Sequence, residues 1–457
     1  MKLFRLPSGS AVPVAIICSA ATMVASDLPR LIVPEGVGVN IHFSRGHEPD
    51  LDLIAAAGFK FVRMDLGWAG IERTKGAYDW SACDELTANL AKRGLRVIYI
   101  LDYSNPLYEE SVVTRNPVSG VEHRDIASPQ HPESVAAFAR WAAAAAARYR
   151  ERRVIWEIWN EPNITFWKPK PDVSQYNTLA LETCRAIRAV EPKATIIGPA
   201  TSEIPLSFLE QHFACGILEY LDAVSVHPYR NYGKPPETAG EEYARLRELV
   251  AKYAPPKKRD LPILSGEWGY ASHTKGVSPE TQAAFAARQQ LVNLLHGVPL
   301  SIWYDWKNDG PDAGEREHNF GVVTAELEPK PAYRAIRALT SALDGHRFER
   351  RLPVGRDEDY VLLFSRQSQP MQLAVWTTGI AHSVSIPVKR WSKVTVRGVN
   401  LDGPAVAMEH ESGRGASVSL TTTMPSGQTL QFDATRLTVD LNQHPLYLTL
   451  EGLRLDL

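Results

Sequence analysis

The chain has 457 residues, of which 44% are hydrophobic and 22% are charged. This is the composition of a globular protein that is long enough for a large core and for more than one domain. The formal net charge is -2 and the sequence pI is about 6.7. A protein that binds nucleic acid usually carries clustered positive charge, so we expect no nucleic-acid partner.

The first 26 residues have the pattern of a signal peptide. Lys2 and Arg5 precede the apolar run of residues 11–25, and residues 24–26 supply small side chains for cleavage. The run is short and contains Pro13, which disfavours a membrane span. We therefore expect a secreted or periplasmic protein with no stable membrane span after cleavage, and an uncleaved anchor is the alternative.

From residue 36 to residue 343, segments typical of strands alternate with segments typical of helices. The predicted strands are residues 36–43, 59–66, 95–101, 153–159, 194–200, 223–227, 261–268 and 300–306. Several of them are continuously apolar, as in a parallel sheet that is covered on both faces. Eight strand–helix units of this length predict an α/β fold, a (β/α)₈ TIM barrel over residues 31–344. A doubly wound open sheet is the alternative, but no Gly-rich phosphate-binding turn follows the first strand.

After residue 344 the helical pattern disappears. Short alternating runs, separated by Gly, Pro, Asn and Asp, continue to residue 457. This pattern predicts a C-terminal antiparallel β-sandwich over residues 345–457. We see no low-complexity linker, so we expect this accessory domain to pack against the barrel.

The cysteines beyond the signal peptide are Cys83, Cys184 and Cys215. Their number is odd and no CxxC spacing is present, which argues against a zinc site. Cys184 lies in a helical pattern and is expected to be a buried free thiol. One disulfide bond among the three remains open.

Two glutamates stand where predicted strands four and seven end. Glu161 follows strand four in the sequence "WNEPN", and Glu267 ends strand seven in "GEW". The active site of a barrel forms at the carboxyl ends of its strands, so the two side chains are expected to face each other across the mouth. Hydrolysis of a glycosidic bond requires such a pair: one carboxyl group acts at the anomeric carbon and the other protonates the departing oxygen.

The order and spacing of "WNEPN" (residues 159–163), "HPY" (residues 227–229) and "GEW" (residues 266–268) resemble clan A of the glycoside hydrolases. The details are most similar to glycoside hydrolase family 39 and its branch that degrades bacterial exopolysaccharides. Further stretches that carry the resemblance are residues 61–80, 99–108, 223–229 and 301–310. The resemblance spans the whole barrel. It implies a retaining O-glycoside hydrolase with Glu161 as general acid/base, Glu267 as nucleophile, and neither a metal nor an organic cofactor.

The resemblance also implies roles for other residues at strand ends. Asn160 is expected to hydrogen-bond the sugar 2-hydroxyl, and Arg63 is expected to donate to the nucleophile. We assign Tyr229 to a contact with the nucleophile and His227 to the wall of the site. Trp303 is expected to form a floor for the sugar, because C–H faces of sugars stack on aromatic rings. Residues with a weaker assignment to sugar hydroxyls or platforms are Asp102, Tyr103, Asn105, Trp68, Trp167, Trp268 and His42.

One position departs from the family pattern. Ahead of the nucleophile we expect Thr or a similar residue, and here the residue is Gly266. The departure affects the subfamily assignment more than the catalytic role of Glu267.

Two other functions are weighed. The first is a non-catalytic carbohydrate-binding or matrix-organising protein on the same barrel, which the presence of both glutamates argues against. The second is a metal-dependent hydrolase built on Asp65, Asp102, His227 and His318. Such a site requires a tight ligand cluster such as HxH, which this sequence lacks.

The sequence leaves the substrate open. Related enzymes act on β-xylosides, on glycosides of uronic acids, or on exopolysaccharides that contain mannose or glucose. We expect a polysaccharide or oligosaccharide substrate, with endo action on a bacterial exopolysaccharide by a monomer. The insert of residues 107–133 is expected to shape the cleft. Its Arg115 and Arg124, with Lys168 and Lys170, either favour an acidic polysaccharide or form a solvated surface.

Overall fold

The computed structural model describes residues 27–115, 120–230, 233–400, 403–410, 420–424, 427–433 and 435–457. The signal peptide predicted for residues 1–26 lies outside this range. Among the residues described, no helix is both long and apolar enough to cross a membrane.

The first ten strands contain the predicted barrel. They are β1 (Val37–Asn40), β2 (Phe61–Gly67), β3 (Arg96–Asp102), β4 (Ser111–Arg115), β5 (Glu122–Ile126), β6 (Ile155–Ile158), β7 (Thr195–Ser202), β8 (Ala223–His227), β9 (Ile263–Trp268) and β10 (Ser301–Trp303). All but β4 and β5 form a closed parallel barrel in the order β1-β10-β9-β8-β7-β6-β3-β2. The prediction of a TIM barrel is confirmed, and the open doubly wound sheet is excluded because the sheet closes.

Helices cover the outside of the barrel. They are α1 (Glu48–Ala56), α2 (Trp68–Ile71), α3 (Ser81–Lys92), α4 (Pro132–Arg148), α5 (Val173–Val190), α6 (Leu206–Ala214), α7 (Gly240–Tyr253), α8 (Pro279–Leu295) and α9 (Pro331–Ala342). Their starts follow local chemistry. The Asp172 side chain accepts hydrogen bonds from two backbone N–H groups of α5, and Ser278 caps α8 in the same way.

Inside the barrel an apolar floor closes the end at which the strands begin. Its members are Phe61, Ile98, Ile155, Ile197, Ala223, Leu264, Leu300 and Ile302, with Leu28 packed against them. Successive side chains of a strand alternate between its two faces, so the next inward position lies two residues further along. At that level four strands carry Arg63, Glu157, Ser225 and Gly266. The apolar floor therefore gives way directly to a polar layer beneath the mouth.

Strands β4 and β5 form an antiparallel hairpin inside the insert between β3 and α4. The hairpin was not predicted, although the insert was expected to shape the cleft. Lys168, which follows the fourth barrel strand, lies 3.3 Å from Asp125 of β5. This ion pair connects the hairpin to the loop that carries Glu161.

The C-terminal domain is antiparallel, as predicted. Its strands are β11 (Arg347–Arg351), β12 (Asp359–Ser365), β13 (Met371–Thr377), β14 (His382–Asn400), β15 (Gly403–His410), β16 (Leu420–Thr423), β17 (Thr429–Phe432), β18 (Arg436–Leu441) and β19 (Leu446–Leu455). The long β14 pairs with β18 along its first part and with β19 and β15 along its second part. Apolar side chains of these strands enclose one core.

The two domains share a second apolar cluster, as their predicted packing requires. It includes Leu291 of α8, Leu339 of α9, and Phe364 and Trp376 of the C-terminal sheet. The indole of Trp376 also donates a 2.8 Å hydrogen bond to Glu237 of the barrel domain. The accessory domain therefore covers apolar faces of two barrel helices.

The three cysteines are free thiols. Cys83 and Cys184 are buried, and burial raises the pKa of each thiol to about 12. The prediction of a buried free thiol at Cys184 is confirmed, and no disulfide bond joins these three residues.

Candidate active site

Glu161 and Glu267 line one cavity at the carboxyl ends of the barrel strands. The cavity has a volume of about 530 Å³. One carboxylate oxygen of Glu161, one of Glu267 and one ring nitrogen of His227 all lie within 4.8 Å of one another. The structure thus brings together two glutamates that stand 106 positions apart in the sequence (267 minus 161).

The carboxylate of Glu267 receives a donor on each oxygen. Arg63 Nη1 donates to Oε2 at 2.6 Å, and the Tyr229 hydroxyl donates to Oε1 at 2.7 Å. Burial and the charge of Glu267 raise the pKa of Tyr229 well above its ordinary value, so the phenol keeps its proton. The two donors therefore fix the direction of the Glu267 carboxylate, with one donor on each oxygen.

Arg63 holds the centre of the polar layer. Its side chain is 1% exposed, and its Nε donates to Glu157 Oε2 at 2.6 Å. Its Nη2 donates to Asn160 Oδ1 at 2.8 Å. Burial lowers the pKa of Arg63, but the charges of Glu157 and Glu267 outweigh burial and raise it above its ordinary value. The guanidinium is therefore a fixed positive charge below the mouth.

Glu161 is oriented by His227. His227 Nδ1 lies 2.9 Å from Glu161 Oε1, and Nε2 lies 3.3 Å from Arg63 Nη2. Arginine can only donate, so Nε2 accepts and Nδ1 carries the hydrogen that is donated to Glu161. Glu161 itself adopts a left-handed backbone conformation with φ of 46°, held by a hydrogen bond from its N–H to the carbonyl of Ala200. The sequence assigned His227 only to the wall of the site. In the structure His227 also contacts Glu161, the candidate acid/base.

Asn160 lies between Arg63 and Tyr103, the residue that follows β3. Its Oδ1 accepts from Arg63, and its Nδ2 donates to the Tyr103 hydroxyl at 2.9 Å. The side chain is therefore held by Arg63 on one side and by Tyr103 on the other.

The tryptophans expected to form platforms do not line the cavity. Trp303 and Trp68 are fully buried, and both belong to the apolar cluster between strands and helices. The structure corrects these two expectations: Ile302 points into the barrel, so Trp303 points outward, and Tyr304 lines the cavity instead. Trp167 and Trp268 are fully buried as well.

Three other expected contacts also differ. Asp102 is fully buried beside Asp65, and burial together with that neighbour raises its pKa well above the ordinary value. It therefore cannot reach a sugar hydroxyl. Asn105 donates to the backbone carbonyl of Glu72 and shapes its loop. The side chain of His42 is 43% exposed and lies 3.5 Å from Asp305, at the rim and not in the lining of the cavity.

Gly266 is required by its neighbours. A Cβ atom at this position would lie 2.3 Å from Ser225 Oγ and 3.1 Å from Glu157 Oε1. The departure from the family pattern therefore has a local cause, because Ser225 and Glu157 occupy the space of a side chain.

The four residues of the metal-dependent alternative do not converge. His227 is engaged by Glu161 and Arg63, and His318 bonds to the backbone of Asp312. In the part of the chain that the structure describes, the groups with ligand spacing are Glu109, Glu110 and His131, and the trio Glu161, His227 and Glu267. Neither group is the predicted set.

Sequence reasoning missed Glu157. It is fully buried, pairs with Arg63 and also accepts from the Ser225 hydroxyl. The sequence did carry a signal. Glu157 stands in an apolar run, two residues after Ile155 and two before Trp159, so it lies on the same face of the strand as Ile155. A charge at an inward position of a barrel strand indicates a buried partner.

Residues 35–310, more than half of the chain, match the family described as Cellulase (glycosyl hydrolase family 5). Two curated proteins are similar over shorter stretches. A β-xylosidase of Geobacillus stearothermophilus is 28% identical over 209 residues, 40% of each chain. A β-xylosidase of Caldicellulosiruptor saccharolyticus is 24% identical over 259 residues, 49% of this chain and 51% of that protein. The chain thus spans about half or less of the length of these relatives.

Solved structures share the architecture. A family 39 glycoside hydrolase from Bacteroides cellulosilyticus WH2 superposes with a TM-score of 0.71 at 25% identity, covering 93% of this chain and 82% of that one. A monomeric β-xylosidase from Caulobacter crescentus CB15 has a TM-score of 0.63 at 16% identity, covering 93% of this chain and 97% of that one, and shows the likeness of fold alone. The chain therefore belongs to the family Cellulase (glycosyl hydrolase family 5), in clan A of the glycoside hydrolases, and within the clan it is similar to family 39.

Proposed function

We propose that the protein is a retaining O-glycoside hydrolase in which Glu161 is the general acid/base and Glu267 is the nucleophile. The observation that carries the proposal is the approach of the two carboxylates, with oxygens within 4.8 Å across one cavity. Retaining enzymes place the two carboxyl groups about 5 to 5.5 Å apart, whereas inverting enzymes leave roughly 6.5 to 9.5 Å for a water molecule.

In the first step, a carboxylate oxygen of Glu267 attacks the anomeric carbon of the bound sugar. The proton of Glu161 passes to the glycosidic oxygen as the bond to the leaving group breaks. Arg63 and Tyr229 each donate to one oxygen of Glu267 and fix the direction of its carboxylate. The product is an ester between the sugar and Glu267, and a free leaving group.

In the second step, Glu161 has lost its proton and acts as a base. It takes a proton from water while the water oxygen attacks the anomeric carbon and the ester bond to Glu267 breaks. His227 donates to Glu161 throughout and keeps the carboxylate aimed at the cavity. Asn160, fixed between Arg63 and Tyr103, is placed to bind the sugar 2-hydroxyl.

The substrate is proposed to be a polysaccharide or oligosaccharide. The resemblance to the exopolysaccharide-degrading branch of family 39 favours endo action on a bacterial exopolysaccharide, and the curated relatives named as β-xylosidases favour β-xylosides. Secretion or a periplasmic location, proposed from the leader-like residues 1–26, agrees with a polysaccharide outside the cell. We propose that the enzyme acts as a monomer.

The test is intact-protein mass spectrometry after incubation with a panel of 2-deoxy-2-fluoro glycosyl fluorides. These reagents form the sugar ester readily but release it slowly. We expect a mass increase of one fluorosugar in the wild type and none in Glu267→Gln. The matched control is Glu203→Gln, a carboxylate that lines the same cavity and has no assigned role, and it should label like the wild type.

The sugar that labels fastest identifies the glycone. Absence of a label from every sugar, together with no release of product from polysaccharides, would support the non-catalytic carbohydrate-binding alternative. A label that survives in Glu267→Gln would remove Glu267 from its proposed role.

A further inference from the structure

Phe166 is a large aromatic side chain that stays exposed within the catalytic cavity. It is 41% exposed and lines the same cavity as Glu161 and Glu267. The tryptophans of the barrel are instead buried among the helices. Phe166 therefore offers a ring surface to a ligand where the tryptophans expected from the sequence do not.

The ring of Phe166 is rigidly supported from one side. It stacks on Tyr103 with centroids 5.8 Å apart and an interplanar angle of 11°. The Tyr103 hydroxyl in turn accepts from Asn160. The loop of Phe166 is also tied to the hairpin through Lys168 and Asp125. Because the ring is already held in place, it loses little conformational entropy when a ligand binds.

The position of the loop indicates which part of a substrate the ring would meet. Glu161, Ile164 and Phe166 follow one another on the loop after β6, and all three line the cavity. Under the proposed function, Glu161 delivers its proton to the departing oxygen. The ring thus lies on the side of the acid, where the leaving group is held before it departs.

The charges around the cavity favour a neutral occupant. Its charged lining residues are Glu161, Glu203, Glu267, Glu317, Arg230 and Arg316. Arg230 is paired with Glu242 at 2.6 Å, and Arg316 is paired with Glu317 at 2.7 Å. The remaining Nε of Arg230 is buried and out of reach. Acidic groups therefore outnumber basic ones, and the carboxylate of a uronic acid would be repelled.

We propose that Phe166 is the stacking face of a leaving-group subsite that accepts a neutral sugar. The inference rests on the proposed function and adds the position and chemistry of a second sugar site. The C–H face of a pyranose supplies an apolar surface that matches an aromatic ring.

The test uses the trapped fluoroglycosyl enzyme. Its release by water is slow, and a sugar that binds the leaving-group subsite can accept the glycosyl group and free the enzyme faster. We would measure reactivation with methyl β-glucoside and with methyl β-glucuronoside, which differ only in the oxidation state of the C6 carbon. The variants are Phe166→Ala, Phe166→Tyr and, as a matched exposed apolar residue of the other domain, Ile380→Ala.

We expect methyl β-glucoside to accelerate reactivation and methyl β-glucuronoside to be much weaker. In Phe166→Ala the concentration of methyl β-glucoside for half-maximal reactivation should rise about tenfold, equal to roughly 1.4 kcal/mol. The rate of labelling and the release by water should stay the same, since neither needs the subsite. Phe166→Tyr keeps a ring and should behave like the wild type, as should Ile380→Ala.

The outcomes separate the two proposals. Absence of any label overturns the proposed function and this inference with it. Normal labelling with an unchanged acceptor dependence in Phe166→Ala overturns the subsite alone. A loss of labelling in Phe166→Ala, at an unchanged unfolding temperature, would show that the ring shapes the catalytic loop instead. Faster reactivation by the glucuronoside would overturn the preference for a neutral sugar.

Discussion

Arg63 and Glu157 form a fully buried ion pair inside the barrel, with Nε and Oε2 2.6 Å apart. The same guanidinium donates to Glu267 at 2.6 Å through Nη1. Arg63 therefore pairs with two carboxylates. Glu267 lines the cavity, and Glu157 does not. Glu157 fixes the orientation in which Arg63 meets Glu267, the proposed nucleophile, so we propose that Glu157 is a positioning residue.

Glu157→Gln should slow formation of the sugar ester and destabilise the fold. Removing one charge of a buried ion pair costs about 3 to 5 kcal/mol, because the other charge stays buried without its partner. We would measure the labelling rate of folded protein and the unfolding temperature. The control is Glu72→Gln, a buried glutamate bonded to Trp68 and remote from the pair. It should lose stability without slowing labelling, and a wild-type labelling rate in Glu157→Gln would refute the positioning role.

Glu161→Ala should separate the two halves of the reaction. A fluoride leaving group needs little protonation, so labelling by a glycosyl fluoride should persist. Turnover of substrates with poor leaving groups should fall by about 10² to 10⁴. Azide, a nucleophile that needs no base, should restore turnover of activated substrates and yield a glycosyl azide, which mass spectrometry detects. Equal loss of labelling and turnover would contradict the acid/base assignment.

Tyr229→Phe should lower the rate at which Glu267 is labelled. The hydroxyl donates to Glu267, the proposed nucleophile, at 2.7 Å, and a hydrogen bond to a charged group contributes about 1.5 to 3 kcal/mol. We expect roughly a tenfold to hundredfold decrease. Tyr270→Phe is the matched control, since Tyr270 lines the same cavity but donates to the backbone carbonyl of Lys234. The assignment fails if both variants behave alike.

Gly266→Ala should destabilise the protein through Ser225. The added Cβ would lie 2.3 Å from Ser225 Oγ, and overpacking of this kind costs about 1 to 3 kcal/mol. Ser225→Ala removes the clashing oxygen, so the double variant should be more stable than the sum of the two single changes predicts. Chemical denaturation of the four proteins measures this coupling. Additive losses would show that the clash is relieved elsewhere.

The contribution of His42 and Asp305 to stability should fall as pH rises. Burial raises the pKa of Asp305 to about 7, far above its ordinary value. Partial burial lowers the pKa of His42, but the hydrogen bond and charge of Asp305 outweigh it and raise it. At both groups the folded state binds more protons than the unfolded state, so the contribution of this pair to stability is lost with rising pH from about 4 to above 7.

Asp305→Asn removes this dependence on pH. The substitution eliminates the carboxyl group of Asp305 as a titrating group. It also removes the negative charge that raises the pKa of His42. Between about pH 4 and 8 the unfolding temperature of Asp305→Asn should rise relative to that of the wild type. Asp344→Asn, which changes an exposed carboxylate at the end of the barrel domain, is the control and should keep the wild-type slope. A steeper decline in Asp305→Asn would contradict the sign of the effect.

The sequence was sufficient to predict the architecture and to predict that Glu161 and Glu267 would share one cavity. Parallel strands covered by helices have a periodicity that can be read along the chain, and chemistry in a barrel collects at the carboxyl ends of the strands. Glu161 and Glu267 stand at such ends, and their meeting follows from closure of the barrel. Strand β10 shows the limit: it spans three residues, fewer than its apolar pattern predicts.

Sequence reasoning did not decide which side of a strand faces the site. Trp303 and Tyr304 are adjacent, and the register of a three-residue strand determines which of them reaches the cavity. Glu157 was missed for a different reason. Its partner Arg63 stands 94 positions earlier, so only the folded chain reveals that the charge is paired. The hairpin of the insert was missed because its exposed strands lack a continuous apolar pattern.

The attachment of residues 27 and 28 sets a direction for the molecule. Leu28 packs against the apolar floor of the barrel. Arg96 donates to the backbone carbonyl of Asp27, and Arg153 donates to its carboxylate. Both arginines lie where barrel strands begin. Chain that precedes Asp27 therefore joins the barrel at the pole opposite its opening. A protein held to a surface through that segment would carry its cavity on the side of the barrel that lies away from the attachment.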